Sequence, residues 1–342
     1  MLEPRFLVVR LGSLGDIVHT FPAVAGLRES FPSAKIVWLT HPRWESLVQS
    51  SGLATEIWAA EARSFASLRE IIRRIREKQF TVAIDYQGLW KSAALPLFGG
   101  VPRRIGFSSQ TIREFGVPVL YSDRVNCKQV HIAAQNGELS QRAGARNGVA
   151  HFRLNVPPAE EASVAQVLSG FSVTKYVVLS PGGGWASKCW PAECFGALCQ
   201  KIHETLGFRC VLNFGPGEEA LVAAVKAASG NADPLPYNGS LVQLMALLRN
   251  AVCIVGGDTG PLHLAIALGT PSVALFGPTD PARNGPYRLC DSHNPSHKPD
   301  MILRSPDAVT SYKRGDQPDP SLLKIRIDEV FASVRQHVEA RQ

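Results

Sequence analysis

Along the chain, short runs of consecutive apolar residues alternate with longer stretches in which apolar positions recur every three or four residues. The runs at residues 6–10, 36–40, 56–59, 81–85 and 104–107 predict strands. Helical spacing over 17–30, 42–50, 65–78 and 89–97 fills the gaps between them. Strands that are apolar without alternation are buried on both faces, which is the βαβ rhythm of a parallel sheet covered by helices. The rhythm lapses over 108–127, returns as a helix at 131–143, and passes into a linker at 145–160 that contains Pro157 and Pro158. A second series then starts, with strands predicted at 176–180, 208–214, 253–256 and 272–276, and helices at 194–206, 218–229, 241–250 and 261–268. Residues 291–320 predict a long loop, and 325–338 a closing helix. The fold class is α/β. Two Rossmann-like domains, 1–155 and 156–342, carry parallel sheets that face a central cleft, which is the expected ligand site; the last helix is expected to pack back on the first domain.

Composition narrows the function. The chain has 342 residues, enough for two domains, and 45% of them are hydrophobic, so large cores can form. The formal net charge is +7, which favours anionic partners without choosing among nucleotides, lipid headgroups and nucleic acid. No basic patch is interleaved with aromatics, so nucleic acid is not expected as a partner. The longest uncharged stretch, residues 259–279, is broken by Pro261, Gly269, Pro271, Gly277 and Pro278, and no membrane span is expected. The apolar run at 6–9 is followed at once by Arg10 and Asp16, which does not resemble a signal peptide, so a cytoplasmic location is expected. Seven cysteines without a C-x-x-C pair predict free thiols, not a disulfide framework or a zinc site. The basic stretch 68–78 has two readings. It is a surface helix with Ile71, Ile72 and Ile75 turned inward, or a helix that rests on the inner face of an anionic membrane.

Three segments carry chemistry. The first is Val8-Val9-Arg10-Leu11-Gly12-Ser13-Leu14-Gly15-Asp16, a strand end that turns into a helix. It lacks the third glycine of G-x-G-x-x-G, and Leu39-Thr40-His41 stand where a dinucleotide fold places its acid, so a dinucleotide cofactor is not supported. Asp16 is either a first-turn acid favoured by the helix dipole or a carboxylate that takes a proton from an acceptor hydroxyl. The second segment, Ser180-Pro181-Gly182-Gly183-Gly184-Trp185-Ala186-Ser187-Lys188, offers backbone N–H groups and a mobile cation to a phosphate; the alternative is a glycine turn with a solvated lysine. In the third, Gly256-Gly257-Asp258-Thr259-Gly260-Pro261-Leu262-His263, a buried strand ends in two glycines and a helix starts, with Pro261 tolerated in its first turn. Free N–H groups at Thr259 and Gly260 suit a pyrophosphate. The alternative is a helix cap at Asp258 and a core imidazole at His263. No D-x-D pair or His/Cys cluster for a metal is present.

At these residues the sequence resembles glycosyltransferase family 9, the lipopolysaccharide heptosyltransferases. The likeness is carried by RLGSLGDIVHTFPA, PGGGWASKCWP and GGDTGPLHLAIALGTPSVALFGPTDPARNGPY, and it spans nearly the whole chain. Asp85-Tyr86-Gln87-Gly88-Leu89-Trp90-Lys91-Ser92 and Ile112-Arg113-Glu114 are similar to stretches of the heptosyltransferase I group within it. The resemblance implies a GT-B fold and an inverting, metal-independent transfer of L-glycero-D-manno-heptose from ADP-heptose, a substrate and not a cofactor, to Kdo of the anionic lipid A–Kdo acceptor. It implies Asp16 as general base. On the donor side it implies Gly183, Gly184, Lys188, Asp258, Thr259, Gly260 and His263, with Glu218 or Glu219 on the ribose. Gly15, Arg63, Lys91 and Arg113 are the acceptor-side candidates, the three cations being suited to carboxylates and phosphates. Residues 289–314 depart from the family's tail pattern. Competing readings are a family 9 transferase of another sugar or acceptor, an NDP-sugar epimerase, which needs acid/base groups on both sides of the ring, and a nucleotide-sugar sensor with Asp16 only a cap.

Overall fold

The computed structural model describes residues 4–61, 64–112, 114–289 and 300–340. The chain forms two compact units, Met1–Asn155 and Val156–Gln342. In the first unit the strands are β1 (Arg5–Val9), β2 (Lys35–Thr40), β3 (Glu56–Ala59), β4 (Val82–Asp85), β5 (Arg103–Phe107) and β6 (Asp123–Val125). Its helices are α1 (Leu14–Val18), α2 (Phe21–Ser30), α3 (Glu45–Ser51), α4 (Phe65–Lys78), α5 (Trp90–Phe98) and α6 (Ile132–Ala143). The sheet order is β3-β2-β1-β4-β5-β6, and each pairing is parallel.

The second unit has strands β7 (Tyr176–Ser180), β8 (Arg209–Asn213), β9 (Leu235–Tyr237), β10 (Cys253–Gly257), β11 (Ser272–Phe276) and β12 (Met301–Arg304). Its helices are α7 (Pro158–Gly170), α8 (Ala192–Leu206), α9 (Glu219–Ala227), α10 (Leu241–Asn250), α11 (Gly260–Ala267), α12 (Pro281–Asn284), α13 (Pro320–Leu323) and α14 (Ile327–Glu339). Its sheet order is β12-β11-β10-β7-β8-β9, again parallel throughout. Counted from the first strand of each unit, both orders are 3-2-1-4-5-6. The order reverses between β1 and β4 in one unit and between β7 and β10 in the other. Ligands of open parallel sheets bind at the carboxyl ends of strands at such a reversal.

The cores explain the apolar runs. Phe6, Leu7, Val8 and Val9 of β1 and Val177, Val178 and Leu179 of β7 have no exposed surface, because helices cover both faces of each sheet. The second core joins Val177, Leu179, Phe195, Val255 and Leu275 with Val330, Phe331, Val334 and Val338 of α14. The apolar face of the closing helix therefore lies in the second unit's own core.

Several predicted boundaries change for physical reasons. The helix predicted over 17–30 is two helices, because the chain turns at His19–Thr20 and Pro22 opens a fresh first turn. Pro158, read as linker, is the first residue of α7 for the same reason. Within the predicted loop 291–320, Met301–Arg304 pairs with β11 as an edge strand, and Asp319 caps α13. Its residues 291–299 lie outside the described residues. Six cysteines are free thiols, and Cys290 lies outside the described residues.

Helix α4 settles the packing of the basic stretch. Ile71 and Ile75 are buried in the first unit's core with Leu7, Val37 and Trp58, and Ile72 packs against it half-buried. Arg73 pairs with Glu70 and Glu77, Arg74 lies over the Trp58 ring, Arg76 donates to the Phe98 carbonyl, and Lys78 pairs with Glu56. Most of its cations are thus engaged within the fold. Among the described residues no helix is long and apolar enough to cross a membrane. Ile75→Ala is expected to cost about 3 kcal/mol in denaturant unfolding, since Ile75 is 1% exposed in the first unit's core. Arg73→Ala should leave the unfolding midpoint where it is.

Candidate active site

In the second unit, the turns that follow β7, β8 and β10 pack together through glycines. A Cβ on Gly257 would stand 2.4 Å from the Lys188 carbonyl oxygen, so only glycine lets the turn carrying Lys188 lie against the end of β10. A Cβ on Gly183 would meet the Thr259 methyl at 2.7 Å, and one on Gly182 would meet the Glu218 carboxylate at 2.1 Å. Glu218 also accepts the Gly215 N–H at 2.8 Å. Glu219 is exposed and accepts the Gly217 N–H at 3.3 Å. The structure thus brings Glu218, and not Glu219, to the glycine turn. Gly184 is exposed and has open space around it.

These turns converge on Asp258. Lys188 Nζ lies 2.7 Å from Asp258 Oδ2, and His263 Nε2 lies 2.8 Å from Oδ1. The ammonium also sits 4.5 Å from the centre of the Trp185 ring. Burial alone would raise the Asp258 pKa, but the bonds and charges of His263 and Lys188 outweigh it and hold the carboxyl well below the usual carboxylate range. Lys188 is therefore tied to a buried carboxylate while keeping one side accessible, and Asp258 is more than a helix cap. Thr259 precedes α11 as its cap residue without using its hydroxyl on the helix, so the first-turn N–H groups at Gly260 have no side-chain cap. Thr259 Oγ1 and Ser187 Oγ are buried without a hydrogen-bond partner. Such groups are costly unless something else bonds them.

The first unit has a different arrangement. Asp16 is the third residue of α1. Its Oδ2 accepts the Ser13 N–H at 3.0 Å and the Ser13 hydroxyl at 2.9 Å, as a helix-capping acid does. Its Oδ1 lies 2.6 Å from Arg10 Nη2. Arg10 also donates to the Tyr86 carbonyl. The Arg10 side chain is 6% exposed and that of Asp16 is 41% exposed. The turn between them is braced from β4: Gln87 Oε1 accepts the N–H groups of Leu11 and Gly12 at 3.0 and 3.3 Å. Asp85, 1% exposed, accepts from Gln87 N, Gly88 N, Ser92 Oγ and Tyr121 Oη at 2.7–3.2 Å. Burial pushes the Asp85 pKa up, and these four donors act against that.

Of the acceptor-side candidates, Gly15 is buried in α1 next to Asp16, and Lys91 is exposed in the first turn of α5. Arg63 and Arg113 lie outside the described residues. Sequence reasoning did not assign Arg10, Gln87 or Trp185 to the site. A charged residue ending an apolar strand was the available signal for Arg10. Among the described residues no group of three or more His, Cys, Asp or Glu gathers as a metal site.

The model of glycosyltransferase family 9 (heptosyltransferase) matches residues 68–307. The chain belongs to glycosyltransferase family 9. This family 9 chain is 28% identical over 325 residues to lipopolysaccharide heptosyltransferase 1 of Escherichia coli O18:K1:H7, covering 88% of the chain and 92% of the relative. Its fold is that of the solved family 9 glycosyltransferase from Veillonella parvula, with a TM-score of 0.84, 20% identity and coverage of 99% and 98%. The solved E. coli heptosyltransferase WaaC with ADP superposes with a TM-score of 0.72 at 23% identity, covering 98% of each chain. The fold is thus of the GT-B class, two Rossmann-like α/β units, and the protein is a glycosyltransferase.

The double pairing of Asp258 has a pH signature. Its folded pKa lies below the unfolded value of about 4, so its stabilisation is full above that pH and is lost as pH falls toward the folded value. Asp258→Asn should cost about 2 kcal/mol at pH 5, because the partly buried Lys188 loses its partner, and the gap should narrow by pH 3. Urea unfolding at both pH values checks this; an equal gap at pH 3 and 5 would contradict it.

Proposed function

We propose that this enzyme transfers L-glycero-D-manno-heptose from ADP-heptose to a Kdo sugar of the lipopolysaccharide inner core, with inversion and without a metal ion. The observation that carries this reading is the opposite sense of two ion pairs at corresponding sheet reversals. In the first unit the cation is buried and the carboxylate is offered outward, at 6% and 41% exposure. In the second the carboxylate is buried and the cation is the more accessible member, at 5% and 16%. One rim presents a base, and the other presents positive charge and amide N–H groups. The names of two relatives, a lipopolysaccharide heptosyltransferase 1 and a heptosyltransferase described with ADP, support ADP-heptose and the lipopolysaccharide core as substrates.

In this reading Lys188, the N–H groups at Gly183 and Gly184 and the start of α11 at Thr259–Gly260 bind the donor diphosphate. Asp258 holds Lys188 in position from one side and His263 from the other. Thr259 Oγ1 supplies a further hydrogen bond to a phosphate oxygen. Glu218 takes the ribose hydroxyls. The acceptor hydroxyl attacks the anomeric carbon from the face opposite the diphosphate. The carbon–oxygen bond to the acceptor forms as the bond to the diphosphate breaks, and the electron pair leaves with ADP. The acceptor proton passes to Asp16. A carboxylate is a weak base, so this transfer comes late, when the acceptor oxygen is already bonding to carbon. Arg10 stabilises the negative charge of Asp16 until the proton arrives. Lys188 and the amides stabilise the charge that develops on ADP. Gly15 and Lys91, with Arg63 and Arg113, are assigned to the acceptor, whose phosphates and carboxylates match their charge. The lipid-borne acceptor places the enzyme's work at the cytoplasmic face of a membrane.

Asp16→Asn is expected to lower transfer by at least about a hundredfold, a usual share for one general base, while ADP affinity stays the same. Release of ADP from ADP-heptose with a Kdo-lipid acceptor measures the first, and calorimetry the second. Undiminished turnover would remove Asp16 from this role.

A further inference from the structure

The fold lays the segment after β12 across the rim that carries Lys188. Three backbone hydrogen bonds hold it there. Ser311 N–H donates to the Pro278 carbonyl at 2.7 Å, in the turn after β11. Ser187 N–H donates to the Gly315 carbonyl at 3.3 Å, and Asp319 N–H donates to the Ser187 carbonyl at 3.3 Å. The segment is thus fastened on both sides of the residue that precedes Lys188. Between these bonds stands Arg314, whose guanidinium carbon lies 5.4 Å from the centre of the same Trp185 ring that Lys188 approaches at 4.5 Å.

We propose that Arg314 is a second cation for the diphosphate of the nucleotide donor, brought to the site by this strap. The charge balance calls for one. A diphosphate brings two or more negative charges, and the Lys188 charge is already matched by Asp258 at 2.7 Å. Glu218 adds a further negative charge beside the glycine turn. Arg314 is exposed, and among the described residues it makes no ion pair. The ring of Trp185 holds both cations near the turn at Gly183 and Gly184. A guanidinium offers a fork of N–H donors that suits phosphate oxygens. The three bonds that fasten the strap run from backbone to backbone, so replacing the Arg314 side chain removes the charge and leaves those bonds in place.

The proposal rests on the nucleotide-donor reading, and the test separates the two. ADP and AMP binding are measured by calorimetry at low and moderate salt for the full chain and for Arg314→Ala, Arg314→Lys and Lys188→Ala. Arg314→Ala should weaken ADP about tenfold, the scale of one charge-assisted hydrogen bond, and AMP less, with a smaller salt dependence. Arg314→Lys should recover part of the loss, and the melting temperature should not change. If Lys188→Ala weakens ADP while Arg314→Ala does not, the proposal for Arg314 falls and the donor site stands. If the unaltered chain binds no ADP, the donor reading falls and the proposal with it.

Discussion

A carboxylate at the end of a central parallel strand is surrounded by backbone and helix, and it stays ionised there only if positive charge and hydrogen bonds reach it. Asp258 meets that condition through Lys188 on one oxygen and His263 on the other. Much of the local sequence follows from this need. Gly257 has no side chain, so the Lys188 carbonyl, and with it the lysine, can come within reach. His263 stands five residues after Asp258, where the first turn of α11 returns its ring to the strand end. Gly183 yields to the Thr259 methyl in the same way. What looks like a set of separate glycine motifs is one packing problem with a charged centre.

The first unit solves the inverse problem. There the buried member is Arg10, and its partner Asp16 keeps a large exposed surface. Because the sheets share a strand order, the two pairs occupy related positions in their units. Burial decides which charge of each pair meets a ligand. A half-exposed carboxylate held by a buried guanidinium is fixed in direction and open to an incoming hydroxyl, which is the access a proton acceptor needs. A lysine held by a buried carboxylate is fixed in direction, which suits an oxyanion. The brace from Asp85 through Gln87 to the Leu11 and Gly12 amides fixes the turn on which the outward acid stands.

The strands most buried on both faces were the most legible in the sequence. Tyr176–Ser180 and Ser272–Phe276 are where uninterrupted apolar runs put them, because helix-covered strands need no alternation. The strand Met301–Arg304 was not legible: it is an edge strand of only partial burial, and its pattern is set by pairing with β11 and not by a core. Helix α7 was hidden by the two prolines at its start. Motif residues such as Lys188, Asp258 and His263 were visible because their glycines are local. Arg10 and Gln87 were not, since their partners lie 76 residues away or come into view only when a strand end and a helix turn meet.

The chain's net charge of +7 pointed to anionic partners, but total charge is a poor guide to where they bind. In α4, Arg73, Arg74, Arg76 and Lys78 are tied to acids, a ring or a carbonyl of their own unit. Arg103 and Arg142 share Asp123, and Arg288 is held by Asp300. Charges paired in this way contribute little field at a distance, because each is screened by its partner and by salt. A cation without such a partner contributes more to an incoming anion than several paired ones. On that ground the positive character of the second unit's rim is better judged from Arg314 and the accessible side of Lys188 than from the sum over the chain. The same reasoning sets the strap after β12 apart from ordinary surface loop: its backbone is fastened beside Lys188, and the charge it carries is left available.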